Sequence, residues 1–387
     1  MFWTTDNGRT WSNISPPLAV GDHYADVFFL NSRAGWVLVA HQEQGGQDSV
    51  PAADTDWTFY VAYTNNAGES WSAYLIPVMQ SRSGDDLTDS GYIAFADDLH
   101  GWIEVHRSST WGGLLRTADG GTTWAWVKAA PGLAGEIVAP GPNDLYIAGL
   151  DLRHGSELFA THDGGSSFQL VPLKPLAGIV PQMPTYGLPE FHGLLGYEPV
   201  TYSGGPGVKS AAVLFTSDDN GRSWKADRVL SDLDHSWIGH RVQSVIVGSA
   251  WMTAFSPDQH QPAIVTLSSG GRKAAPSNQV GDFSRCSLSF VSAEAGWANC
   301  SGHLLSTFDA GSTWADIGPR IRDGMPTTDP QTPVAARPIT THVRPSVGLA
   351  VRSASVNVPG AALASGIAEQ LGFDIQFVPN AGNVMQQ

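Results

Sequence analysis

The chain is poor in cysteine, in positive charge and in long apolar runs. Two cysteines occur in 387 residues, Cys286 and Cys300, so no cysteine-based metal site can be built. Lys and Arg number 21 against 36 Asp and Glu, a net charge of −15. A chain that acidic repels phosphate backbones, which argues against general nucleic-acid binding. Charged residues make up 15% of the total, against roughly 25% in an average soluble protein. Ser, Thr, Asn and Gly supply the polarity instead, as on many secreted β-proteins. No stretch approaches about 18 consecutive apolar residues, so no membrane span is expected. The opening residues, Met1-Phe2-Trp3-Thr4-Thr5-Asp6, lack the basic and apolar regions of a signal peptide.

What is abundant is glycine (43), proline (25) and tryptophan (14). The glycines have no every-third-residue period, which excludes collagen. Length alone suggests two or three domains, but repeat architectures run longer as one unit.

A repeat governs the chain. The pattern Ser/Thr-x-Asp-x-Gly-x-Ser/Thr-Trp occurs at Thr4–Trp11 and, with Asn66 for Asp, at Thr64–Trp71. It returns at Thr117–Trp124, at Thr161–Phe168 with Phe for Trp, at Ser217–Trp224 and at Thr307–Trp314. A worn copy spans Thr266–Lys273. The third positions are Asp6, Asn66, Asp119, Asp163, Asp219, Ser268 and Asp309, at separations of 41 to 60 residues. Four-stranded propeller blades run about 40–50 residues, so the period suits one blade per box.

Each residue type in the box has a physical reason. The fifth position is glycine in every clear copy (Gly8, Gly68, Gly121, Gly165, Gly221 and Gly311), as a turn needing positive φ requires. The Asp side chain can accept bonds from the backbone N–H groups of its own turn. The last position (Trp11, Trp71, Trp124, Phe168, Trp224 and Trp314) opens the next strand with a large apolar ring. Short β-prone runs precede the boxes, such as Phe59-Tyr60-Val61-Ala62 and Ala212-Val213-Leu214-Phe215. A second unit lies upstream, an apolar strand and turn leading to Gly35-Trp36, Gly101-Trp102 or Gly296-Trp297. Each period therefore reads strand, turn, strand, loop, strand, box, strand. The predicted fold is an all-β propeller of four-stranded blades, seven counting a partial first blade, with six as the alternative.

These boxes resemble the Asp-box repeat of bacterial neuraminidases. Their pairing with Gly-Trp resembles the propellers of photosystem II assembly or stability factors and related sialidase-superfamily proteins. The resemblance covers residues 1 to about 318. It implies that the box is a structural signature at the blade periphery and not a catalytic centre.

Residues 319–345 carry six prolines and few large apolar residues and read as an extended linker. Residues 346–387 form a C-terminal extension. Its segments Val347–Val351 and Ala354–Val358 are candidate strands to close the first blade, and Ala361–Leu371 has a helical apolar face. The stretch from Gly372 resembles the opening strand of a glycoside-hydrolase-like barrel. Because Met1 falls inside a hairpin, the favoured expectation is a piece of a longer reading frame, with closure by the C-terminal strands as the alternative.

Chemistry-bearing residues are scattered. Cys286 and Cys300 lie equidistant from a predicted hairpin turn near Ala293, so they face each other across two strands. A disulfide is the expectation, and with it an oxidising compartment; two buried thiols are the alternative. Ser217–Gly221 superficially resembles a calcium loop but lacks its alternating ligands. A sialidase needs three arginines, a Tyr–Glu pair and an acid; Arg107, Arg241, Arg285 and Tyr197-Glu198 would permit one, without any Arg-Ile-Pro motif. Glu104, Glu190 and Asp234 are loose candidates for a carboxylate pair. His235 and His240 match no zinc spacing. Trp57, Trp111, Trp237 and Trp251 fall outside both repeating units and could stack on sugar rings. The reading is a monomeric, non-catalytic binding or assembly scaffold, extracellular or in the cell envelope, with no cofactor or metal. Its ligand, protein or carbohydrate, would meet the central-channel face. A sialidase-like glycosidase and a lectin-like binder are the alternatives.

Overall fold

The computed structural model describes residues 1–6, 8–42, 57–76, 90–106, 112–151, 155–174, 176, 184–202, 210–233, 242–246, 249–255, 262–268, 271–275, 286–300, 303–319, 321–322, 325–326, 346–351 and 374–379. Every regular element among them is a strand. A short hairpin comes first, β1 (Phe2–Trp3) with β2 (Ser12–Asn13). Two compact units follow from the contacts, one of Ser15–Val171 and one of Met1–Ile14 with Pro172–Gln387.

The Ser15–Val171 unit holds three four-stranded antiparallel blades. The first is β3 (Asp22–Phe29), β4 (Gly35–Gln42), β5 (Trp57–Thr64) and β6 (Ser72–Leu75). The second is β7 (Gly91–Phe95), β8 (Gly101–His106), β9 (Gly112–Thr117) and β10 (Ala125–Trp126). The third is β11 (Gly135–Gly141), β12 (Asp144–Asp151), β13 (Gly155–Thr161) and β14 (Gln169–Leu170).

In the other unit the fourth blade comprises β15 (Pro184–Tyr186), β16 (Glu190–His192), β17 (Leu195–Tyr202), β18 (Ser210–Ser217) and β19 (Lys225–Leu233). The fifth is β20 (Val242–Ile246), β21 (Ser249–Phe255), β22 (Pro262–Ser268) and β23 (Gly271–Ala275). The sixth is β24 (Cys286–Phe290), β25 (Gly296–Cys300), β26 (His303–Thr307) and β27 (Ala315–Asp316). Two small pairs complete the described residues, β28 (Ile321–Arg322) with β29 (Met325–Pro326), and β30 (Ser346–Val351) with β31 (Asp374–Pro379).

The fold is an all-β propeller built from four-stranded antiparallel meanders. Five described sheets have four strands; the fourth has five because β15 and β16 both pair with β17. Its first strand is broken at Gly187-Leu188-Pro189, where Pro189 has no N–H to give the ladder. The hairpin β1–β2 is a separate two-stranded sheet. Val347–Val351, a candidate blade-closing strand, lies within β30 and pairs in parallel with β31. Ala354–Val358, the Ala361–Leu371 helix and residues 327–345 of the linker lie outside the described residues.

Each box is one hydrogen-bonded unit. The first hydroxyl accepts the glycine N–H, as from Gly8 to Thr4 at 2.9 Å and from Gly221 to Ser217 at 2.8 Å. The same hydroxyl donates to the Asp carboxylate, Ser217 to Asp219 at 2.7 Å. That carboxylate also accepts the backbone N–H and the hydroxyl of the seventh residue, from Ser223 at 2.8 and 2.6 Å. Box glycines have φ between +78° and +92°. The fourth position is also left-handed, with φ of 59° at Ala67, 58° at Asn220 and 61° at Ala310. The terminal rings divide: Trp124 and Trp314 are buried, whereas Trp11, Trp71, Phe168 and Trp224 are half-buried.

The box carboxyls are strongly acidic. Hydrogen bonds from Ser167 and Thr161 hold Asp163 at about 2, from an ordinary value near 3.8. Burial pushes Asp219 up, but bonds from Ser223 and Ser217 outweigh it and leave it at about 2. A carboxyl depressed on folding stabilises the fold above its unfolded value, and that stability is lost as pH falls through the folded value. The boxes should therefore hold at pH 4 and weaken as pH approaches 2. Asn66 makes the same turn with a neutral amide, its Oδ1 accepting from Ser70 N at 3.0 Å. Asp219→Asn is expected to fold and to flatten the loss of thermal stability between pH 4 and 2; an unchanged acid profile would contradict this.

The second repeating unit joins blades. Trp36 stacks on Phe95 of the second blade at 3.8 Å between centroids, and its Nε1 donates to Gly120 O at 2.9 Å. In the second blade Arg116 covers Trp102 at 5.2 Å. That guanidinium donates to Gly164 O, Pro142 O and Asn143 Oδ1 of the third blade. In the other unit Thr266 donates to Ala310 O of the sixth blade at 2.8 Å. The box is thus both a turn and the seat for the preceding blade.

Candidate functional site

Boxes close the turn between third and fourth strands, so they mark one end of each blade. At the opposite end lie the start of each first strand, the end of the second and the start of the third. In the first blade this end gathers Asp22, Tyr24, His41 and Tyr60, all on one face because antiparallel partners share a face. Asp22 opposes His41, and Val39 lies between Tyr24 and Tyr60 in register.

Asp22 organises the group. Its Oδ1 meets His41 Nδ1 at 2.8 Å, while Oδ2 accepts the Tyr60 hydroxyl and the Ala19 N–H. Burial pushes the Asp22 carboxyl up, but these bonds outweigh it and leave it below the usual carboxylate range. Burial and the bond to Asp22 raise the Tyr60 phenol, and burial raises Tyr24. Both phenols are therefore neutral donors or acceptors at neutral pH. With Nδ1 turned to Asp22, the partly exposed His41 ring has Nε2 as its second polar atom. On the other face of the same strand ends, His23 and Trp57 pack at 5.7 Å between centroids.

The second blade carries Glu104, fully buried, with His106 Nε2 at 3.0 Å. Tyr92 packs edge-on against His106 at 5.4 Å. A Cβ at Gly112 would stand 2.1 Å from Glu104 Oε1, so only glycine leaves room for this carboxylate.

In the fourth blade Tyr197 and Glu198 do not form a pair. Successive strand residues point to opposite faces. Tyr197 opposes Glu190, whereas Glu198 opposes Phe215. Counted from the residue facing each box hydroxyl, Tyr197 takes the place of Trp36, Trp102, Tyr146 and Trp297. Its ring packs edge-on against His192 of the same blade, at 5.7 Å between centroids. Glu198 occupies the position of Val37, Ile103 and Ile147, so a carboxylate replaces an apolar residue in that layer. Tyr202 and Tyr186 share its face, and burial followed by Tyr186 and Glu198 raises the Tyr202 phenol.

Glu104 and Glu190 are both buried, on different blades. Asp234, Arg107, Arg241, Arg285, His235, His240, Trp111 and Trp237 lie outside the described residues, and Trp251 is described only as part of β21. Among the described residues no group of three or more His, Cys, Asp and Glu is arranged to hold a metal ion. Cys286 and Cys300 are directly opposed and joined by a disulfide.

Sequence reasoning singled out Trp57 but missed Asp22, Tyr24, His41 and Tyr60. The only available signal was register: Asp22, His41 and Tyr60 sit at strand ends on successive sides of two connections.

No protein-family model and no curated protein matches the chain. Solved structures do resemble it. A polysaccharide lyase of family PL25, an ulvan lyase, is 11% identical over 78% of this chain and 83% of its own, with a TM-score of 0.46. The β-propeller domain of the Trilobed protease from Pyrococcus furiosus is 8% identical over 83% and 100%, with a TM-score of 0.40. A Hadza microbial sialidase is 13% identical over 76% and 58%, with a TM-score of 0.31.

Proposed function

We propose that this protein is a non-catalytic, carbohydrate-binding propeller, and that its ligand meets the strand ends opposite the boxes. The observation that carries the reading is the first blade, whose strand ends present Trp57 and His23 as ring surface on one face and the fixed polar groups of Asp22, His41, Tyr24 and Tyr60 on the other. Sugar recognition needs both, an aromatic face for the ring and preorganised donors and acceptors for hydroxyls. The net charge of −15 and the ionised Asp22 favour a neutral saccharide over an anionic polymer. The boxes are of the Asp-box type, the repeat of sialidase-superfamily and photosystem II factor-like propellers. The disulfide supports a place outside the cytoplasm, extracellular or in the cell envelope. Residues 319–345 are a linker and 346–387 a C-terminal extension that carries candidate blade-closing strands.

The reading is tested by affinity electrophoresis in gels containing neutral polysaccharides, with uronate polymers as the contrast. Retardation is expected with a neutral polymer and not with the anionic ones. Trp57→Ala should weaken it about tenfold, from the loss of roughly 1.5 kcal/mol of ring contact. Equal retardation of Trp57→Ala and the native chain would remove the first blade as the site. Absence of retardation by every polymer would leave the assembly-scaffold reading in its place.

A further inference from the structure

The hairpin β1–β2 is packed as though it belonged to a blade. Met1, Phe2, Trp3 and Thr4 are all buried, and the box between its strands makes the full set of bonds among Thr4, Asp6, Gly8 and Thr10. Its glycine rests on the end of the sixth blade. A Cβ at Gly8 would lie 2.6 Å from Ile317 O and 2.8 Å from Ile317 Cβ. Ile317 is the third residue after the box ring Trp314.

The same seat recurs elsewhere. A Cβ at Gly165, the box glycine of the third blade, would lie 2.8 Å from Val127 Cγ1. Val127 is the third residue after Trp124, the box ring of the second blade. The first box therefore docks on the sixth blade as the third blade's box docks on the second. By this correspondence β1 and β2 are the third and fourth strands of a blade that follows the sixth.

A third strand needs a partner on its inner side, because buried N–H and C=O groups are almost always paired. Of the strands after the sixth blade, β31 lies against β1 and β29 against β2. We infer that β30 and β31 fill the two inner places of this blade, so that β1 and β2 share one seventh blade with β30 and β31. Each is six residues long, within the five to eight of the first and second strands in the first, second and third blades. Their parallel pairing follows from the connection, since residues 352–373 are long enough for a crossover where the other blades have a tight hairpin. The hold of the β1–β2 hairpin on the sixth blade then depends on β30 and β31.

Two measurements on the full chain test this. In Trp3→Cys, a further single cysteine is placed at each of residues 374–379 in turn, and oxidation is followed by non-reducing electrophoresis. At least one position should couple to position 3, since facing strand residues lie within disulfide reach; six failures would overturn the inference. Val378→Pro breaks the β31 ladder without touching β1. Amide exchange over Phe2–Thr4 should quicken about tenfold, the worth of roughly one hydrogen bond, while the first blade is unchanged. Equal exchange at Phe2–Thr4 in native and Val378→Pro chains would also overturn it.

Discussion

Replacing Trp36 by alanine is expected to cost about 4 kcal/mol, the range seen for fully buried large aromatic side chains. The ring is inaccessible to solvent and lies between two blades rather than inside one. Its loss removes the stack on Phe95, the packing against Tyr63 at 5.1 Å, and the bond to Gly120 O. The cavity cannot be closed by one sheet relaxing, since each wall is held by its own ladder. Trp71→Ala is the contrast. That ring ends a box, is half-buried and meets Phe29 edge-on at 6.3 Å, so its removal should cost clearly less. Urea denaturation followed by circular dichroism measures both. Trp36→Phe keeps most of the apolar surface but leaves the Gly120 carbonyl without its donor, and should fall between native and Trp36→Ala. Equal losses for Trp36→Ala and Trp71→Ala would show that the joint between the first two blades is not where the stability lies.

Breaking the Cys286–Cys300 bond is expected to cost about 3 kcal/mol. The bridge spans 14 residues, and loop-closure entropy for a loop of about that size is worth roughly that amount. The cost should concentrate in the sixth blade, because Cys286 and Cys300 belong to one buried cluster with Leu288, Phe290, Ala298, Leu305 and Trp314. The double variant Cys286→Ala/Cys300→Ala and reduction of the native chain should lower the denaturation midpoint alike. Exchange of the amides of residues 286–307 should rise before that of the first blade. A midpoint indifferent to reductant would show that β24–β25 pairing alone holds the pair.

Local chemistry explains why some of this was legible. The box is a turn whose bonds run between residues two to four apart, so the residue types alone indicate what each does. The cysteine pair could be read because an antiparallel hairpin puts positions equidistant from its turn face to face. The fourth blade resisted the same treatment. Nothing local to Gly187-Leu188-Pro189 shows that both flanking pieces pair with β17, and adjacency in sequence does not tell that Tyr197 and Glu198 oppose different partners.

The candidate site was the least legible part. Asp22, His41 and Tyr60 have no motif around them and are brought together by strand register across two connections. Trp57 stood out because it fitted neither repeat, yet its neighbour His23 is 34 positions away along the chain.

By itself the sequence determined the class of fold, the repeat and the conformation of each box, because those depend on glycine tolerance, turn bonding and alternation within a few residues. Only the tertiary structure decided which face each blade residue takes and that Trp36 is a joint with Gly120, 84 positions away. It alone brought one carboxylate, one histidine and one phenol into a single hydrogen-bonded group. Those outcomes depend on register and on packing between sheets, and a single strand carries no record of its neighbour.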